Sequence, residues 1–117
     1  MTQVIFTKYR ESLIFECLGH TGYGERGADI LCSAVSCLCY TLDAYLKEAE
    51  QDGRLSRLFC EFSDGKVSLC FEPKGEDPEG LSEAVRAILG GFQLLEETYP
   101  GYITCEFDCQ FAPFCIE

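Results

Sequence analysis

Two side chains in this sequence have the chemistry of a nucleophile and its base: Cys32 and the only histidine, His20. A Cys thiolate can attack a carbonyl carbon, and a nearby imidazole can take up the thiol proton and return it to a leaving group. The stretch joining them is Gly19-His20-Thr21-Gly22-Tyr23-Gly24-Glu25-Arg26-Gly27-Ala28-Asp29, and it leads into Ile30-Leu31-Cys32-Ser33-Ala34-Val35-Ser36. It reads as the end of a strand, a glycine-bearing loop and the start of a helix. With Asp29 as N-cap, Cys32 falls at the third helical position, where free backbone N–H groups and the positive end of the helix dipole favour a thiolate. The N–H groups of that first turn are also candidate donors to an oxyanion.

Each of these residues also has a plainer role open to it. Asp29 can cap the helix, orient His20 or hold the loop, and capping is the most economical. Ser36, one turn beyond Cys32, either reaches toward the site or bonds its own helix carbonyl. The loop of Thr21, Gly22, Tyr23, Gly24 and Gly27 is either a plain connection or a flap that opens for a peptide, with Tyr23 as an apolar lid. Cys17-x-x-His20, with Cys32 as a third ligand, has metal-like spacing. There is no Cys-x-x-Cys and no second ligand pair, so no metal is expected.

The elements that must position these groups follow from periodicity. Gln3 to Tyr9 and Leu13 to Leu18 flank Arg10-Glu11-Ser12 as an antiparallel hairpin. From Ile30 to about Glu50, apolar residues from Leu31 to Ala49 recur at helical spacing, and Gln51-Asp52-Gly53 ends the helix. Leu55 to Ser63 and Lys66 to Glu72 flank Asp64-Gly65, a two-residue hairpin turn. Pairing about that turn sets Phe62 against Val67, Cys60 against Leu69 and Leu58 against Phe71 on one face. Phe59 and Cys70 then fall on the other face, where exposure would hint at a subunit contact.

Asp77-Pro78 reads as N-cap and first residue of a second helix carrying Leu81 to Leu95, stopped by Tyr99-Pro100-Gly101. Gly90-Gly91 inside it implies a close approach. Ile103, Cys105, Phe107 and Cys109 alternate with polar residues as a half-buried strand, and Phe111 to Glu117 gives no clear element. The order ββαββαβ predicts an α+β fold, a mainly antiparallel sheet with two helices packed on it.

At 117 residues, with 47% hydrophobic content, the chain reads as one domain spanning residues 1–117. No uninterrupted apolar run approaches the roughly 20 residues of a membrane span, so no membrane is expected. Met1-Thr2-Gln3-Val4 shows no secretion signal, and the cysteines number nine, mostly within apolar patterns. Both point to a reducing cytoplasm with most thiols acting as small core residues. Twenty acidic residues against nine basic ones give a net charge of −11. A phosphate backbone is therefore a poor partner, so no direct nucleic-acid binding is expected. A basic protein or peptide suits the charge better, although solubility alone also explains it.

The order Gly-His, glycine-bearing loop, then Gly-x-Asp-Ile-Leu-Cys-x-Ala-Val-Ser resembles the bacterial ribosomal-processing cysteine protease family, Prp. The resemblance covers essentially the whole chain, with Thr21 standing where the family pattern would have a small Ala. It implies a cysteine endopeptidase that removes a short N-terminal extension from large-subunit ribosomal protein L twenty-seven during ribosome maturation. It also implies a homodimer and no cofactor. The roles it implies are Cys32 as nucleophile, His20 as general base and acid, and Gly19, Asp29 and Ser36 as supporting residues. Two rivals are a non-enzymatic protein docking on basic ribosomal proteins and a thiol-redox or metal-binding protein.

Overall fold

The computed structural model describes residues 1–108, so the expected strand position of Cys109 and the segment from Phe111 to Glu117 lie outside the described residues. The elements are β1 (Thr2–Tyr9), β2 (Ser12–Leu18), α1 (Ile30–Gln51), β3 (Leu55–Ser63), β4 (Lys66–Pro73), α2 (Leu81–Thr98) and β5 (Ile103–Phe107). This is the expected ββαββαβ order. The five strands form one sheet in the order β3-β4-β2-β1-β5. Every neighbouring pair is antiparallel except β1 with β5. The fold is α+β.

Alternation decides which face each strand buries. Val4 and Phe6 of β1, Leu13, Phe15 and Cys17 of β2, and Leu69 and Phe71 of β4 point to the helices. The pairing of β3 with β4 has the register read from the turn, with Phe62 opposite Val67, Cys60 opposite Leu69 and Leu58 opposite Phe71. Phe59 lies opposite Cys70 on the open face and is exposed.

Helix α1 contributes Val35, Cys39, Leu42, Leu46 and Ala49 to the core, and α2 contributes Leu81, Val85, Leu89 and Phe92. By length and composition alone, α1 is long and apolar enough to cross a bilayer, although polar residues interrupt its apolar runs. Its apolar stripe is instead spent on the sheet and on α2, as in the core helix of a folded domain. The helices approach closely at Gly91, where a Cβ would stand 2.9 Å from Leu38 Cδ2, while Gly90 faces open space. The expected close contact therefore belongs to one of the two glycines.

Helix α2 begins later than Asp77-Pro78 implies. Its N-cap is Gly80, in the left-handed region at φ 75°. The Leu81 N–H donates to the Pro78 carbonyl at 3.0 Å, closing a turn over Pro78–Gly80. Arg54 fixes that turn from the far side: its Nη1 donates to the Glu79 carbonyl and to Tyr45 Oη, and the Tyr45 hydroxyl donates to the Gly80 carbonyl. A tertiary contact thus overrides the local Asp-Pro helix-start signal.

Candidate active site

The base side of the site is built at the end of β2. Gly19 has φ 88°, and a Cβ there would stand 2.7 Å from the Met1 carbonyl oxygen, so only glycine fits. Its N–H donates to the Gly65 carbonyl at 2.8 Å, tying this strand end to the β3–β4 turn. His20 follows at once, and its ring lies against that turn. Its Nε2 is 3.6 Å from Asp64 Oδ1, within ion-pair reach but beyond hydrogen-bond distance. Gly65, at φ 72°, makes room for the ring: a Cβ there would sit 3.2 Å from Nε2. Asp64 in turn accepts a two-pronged contact from Arg26 Nη2, at 2.9 and 3.0 Å, in an exposed pair that crosses from the glycine loop to the turn.

The nucleophile side is built at the start of α1. Asp29 is the N-cap, with φ −84° and ψ 107°, so Cys32 does occupy the third helical position. The cap carboxylate is buried and fully used. Its Oδ1 accepts from the N–H groups of Leu31 and Cys32, both at 2.9 Å. Its Oδ2 accepts from the Thr21 hydroxyl at 2.7 Å and the Gly24 N–H at 2.9 Å. Burial alone would raise this carboxyl; the hydrogen bonds, led by that from Cys32 N–H, outweigh it and hold the group well below the usual carboxylate range. Asp29 therefore caps the helix and holds the loop at once. Two of its three candidate roles, capping and holding the loop, are thus one hydrogen-bonded unit.

This arrangement changes the expected source of oxyanion donors. The N–H groups of Leu31 and Cys32 are committed to Asp29, and that of Ser33 donates to the Asp29 carbonyl at 3.1 Å. An oxyanion at the start of α1 would have to displace a carboxylate, so the first turn is not the free donor set the sequence suggested.

Thr21, read only as a loop residue, is 2% exposed and touches the sulfur, with Oγ1 3.3 Å from Cys32 Sγ. Tyr23 does not lie over the cleft as a lid. Its ring meets Tyr99 and Tyr102 edge-on, with centroids 5.1 and 5.2 Å away, and so anchors the loop to the segment after α2. The loop is thus fastened at Tyr23, at Asp29 and at the Arg26–Asp64 pair. Gly22, Gly24 and Gly27 line the loop side of a cleft shared with His20, Cys32 and Ser36.

His20 and Cys32 line one cleft of about 340 Å³, together with Gly19, Ser36, Tyr40 and Phe62. Among the described residues the Ser36 hydroxyl has no protein partner, which leaves it available to a bound molecule. Tyr40 and Phe62 stack with ring centroids 5.0 Å apart and form an apolar wall that sequence reasoning missed. A signal existed for Tyr40: Cys32, Ser36 and Tyr40 recur at the i, i+4 spacing of one helix face. Asp64 was legible as a turn residue but carried no sign of facing His20.

Three of the other thiols are raised by their surroundings. Cys17 and Cys39 also line the cleft and hydrogen-bond to one another; that contact lowers the Cys17 thiol and, together with burial, pushes the Cys39 thiol above the ordinary thiol range. Burial, aided by Asp43, pushes Cys60 up to about 11, and burial with Glu96 nearby pushes Cys105 up to about 12. Raised thiols are poor nucleophiles near neutral pH. Among the described residues no three His, Cys, Asp or Glu side chains are grouped to hold a metal ion, and Cys17 is paired with Cys39 rather than with His20 and Cys32.

A family model described as "Cysteine protease Prp" matches residues 1–104. Among solved structures, an essential ribosomal processing protease Prp from S. aureus, in complex with a covalently linked product peptide, aligns with a TM-score of 0.67 at 18% identity. That alignment covers 92% of this chain and 100% of the other. The same protease in complex with a substrate peptide gives 0.63 at 19% identity, with the same coverage. The Streptococcus mutans protein SMU.848 gives 0.62 at 28% identity, covering 92% of this chain and 93% of that one. Among curated proteins the chain has no match.

Proposed function

This chain belongs to the cysteine protease Prp family, and on that premise we propose that Cys32 and His20 are the working pair of a peptidase that trims a short N-terminal extension from ribosomal protein L twenty-seven. The observation that carries this reading is that the first-turn Cys and the only His line one cleft. His20 takes the Cys32 proton, and the sulfur attacks the scissile carbonyl. The tetrahedral intermediate collapses to a thioester as His20 gives the proton to the leaving amine. His20 then deprotonates a water molecule, which hydrolyses the thioester and returns the thiol. Gly19 supports His20 through its backbone, Asp29 supports Cys32 through its carboxylate, and Ser36 faces the cleft from one turn beyond the sulfur.

The net charge of −11 suits a basic ribosomal substrate. The S. aureus complexes, with substrate and product peptides, support a peptide or protein substrate. The same reading carries a reducing cytoplasm that keeps the thiol free, no cofactor, and a homodimer with the open-face row of Phe59 and Cys70 as a candidate contact.

The test is mass spectrometry of ribosomal protein L twenty-seven, carrying its native extension, after incubation with this protein and with its Cys32→Ala variant. Cleavage at one site by the parent alone supports the peptidase and identifies the recognition sequence. Intact substrate in both mixtures, with a stable complex on a sizing column, replaces it with the docking-protein reading.

A further inference from the structure

We propose that Thr21 is a positioning residue for the nucleophile: in the resting protein its hydroxyl accepts the Cys32 S–H and holds the sulfur as a neutral thiol aimed into the loop. The inference rests on Cys32 being the nucleophile. It concerns how that nucleophile is kept between substrates.

The argument is a count of protons and lone pairs. A threonine hydroxyl has one proton to give and two lone pairs to offer. The Asp29 carboxylate only accepts, and it lies 2.7 Å from Thr21 Oγ1, so the hydroxyl proton is spent there in a short, charge-assisted bond. The Tyr23 N–H, 3.3 Å from the same oxygen, only donates and takes one lone pair. One lone pair remains, and Cys32 Sγ lies 3.3 Å away. With the Thr21 proton already committed, that contact is satisfied when sulfur carries a proton and donates it. A thiolate there would face a lone pair. The oxygen is 2% exposed as part of its residue, so water does not relieve the mismatch.

Catalysis then requires an exchange. As the Cys32 proton passes to His20, Thr21 must either turn its own proton from Asp29 to the sulfur or withdraw with the loop. Asp29 tolerates the loss, because the N–H groups of Gly24, Leu31 and Cys32 remain on it. No atom is gained or lost: the thiol proton goes to His20, and Thr21 keeps its own. A small Ala at this position, the residue that the family resemblance leads one to expect, would lack this restraint, so the brake belongs to this chain.

The experiment is the rate of iodoacetamide labelling at Cys32, read by peptide mapping on substrate-free protein at neutral pH, for the parent and for Thr21→Val, Thr21→Ala and Thr21→Ser. Loss of one neutral hydrogen bond of about 1 kcal/mol predicts labelling roughly 5-fold faster in the Val and Ala variants, with Ser within about 2-fold of the parent. Equal or slower labelling without the hydroxyl overturns the proposal, the slower result meaning that Thr21 donates to sulfur. A second measurement needs no Thr21 variant. The infrared S–H band in the difference between the parent and Cys32→Ala is expected at neutral pH, and its absence overturns the proposal. Labelling does not depend on peptide cleavage, so a failed brake with cleavage intact leaves the peptidase standing. Absent cleavage in every form removes the peptidase instead.

Discussion

The two halves of the site are held by different physics. Around Cys32, Asp29 and Thr21 are nearly closed to solvent, and four hydrogen bonds of 2.7–2.9 Å converge on one carboxylate. Around His20, the partners are exposed: Asp64 stands 3.6 Å from Nε2 and is shared with an exposed Arg26. Buried, charge-assisted bonds resist salt and fix geometry, whereas exposed ion pairs contribute little and are screened. The nucleophile is therefore set by the fold, while the base and the loop fastened beside it can be adjusted by solvent or by a bound peptide.

The comparison is broken most severely at Asp29. Asp29→Ala removes the helix cap and the loop ties together, so Tm should fall by roughly 5–10 °C in calorimetry and cleavage by at least about 10-fold. The folded-state carboxyl is depressed, so its stabilisation is present above the ordinary aspartate value of about 3.9 and drains away as pH falls below it. Melting curves for the parent and Asp29→Asn should accordingly keep their separation down to about pH 4 and draw steadily together as pH falls from about 4 toward 2. Parallel curves would show that the carboxylate's charge is not what holds the loop.

Gly65→Ala comes next and strikes the other half. The left-handed φ of 72° should cost about 1–2 kcal/mol, and the added Cβ must push the His20 ring away. Cleavage should drop about 10-fold while iodoacetamide labelling at Cys32 stays within about 2-fold, separating base from nucleophile. A matching loss of labelling would mean the two halves are mechanically one.

A smaller effect is expected at Arg26. Arg26→Ala removes an exposed pair, so urea unfolding should move by about 0.5 kcal/mol or less. Its effect should appear in KM, and raising salt to about 0.5 M should bring the parent's KM to the variant's. A salt-independent difference would place Arg26 on the substrate rather than on Asp64. Ser36→Ala should be the mildest, with no change in Tm and a change of a few-fold at most in kcat/KM.

Much of the nucleophile half was legible because its logic is local. Asp29 three residues before Cys32 is a capping relation that sequence spacing expresses directly, and the Asp64-Gly65 turn dictated the register of β3 and β4. Of the base half only His20 itself was legible, since His20 and Asp64 meet only after β2 pairs with β4. The same holds for Tyr23, whose partners Tyr99 and Tyr102 come from the far end of the chain, and for the Arg54 contact that delays α2. Thr21 is the instructive case. It lies between recognised residues, yet its role depends on which way one hydroxyl proton points, and neighbours eight and eleven residues away in sequence decide that.

The sequence by itself determined the α+β order, the hairpin register, the Asp29 cap and the placing of Cys32 in the first helical turn, since each rests on contacts within a few residues or on simple periodicity. Only the tertiary structure decided that the cap carboxylate also holds Thr21 and Gly24, that His20 looks toward Asp64, and that Tyr23 meets Tyr99 and Tyr102. Hydrogen-bonding capacity is finite, and which partner claims each donor depends on distances that exist only once the strands and helices are packed.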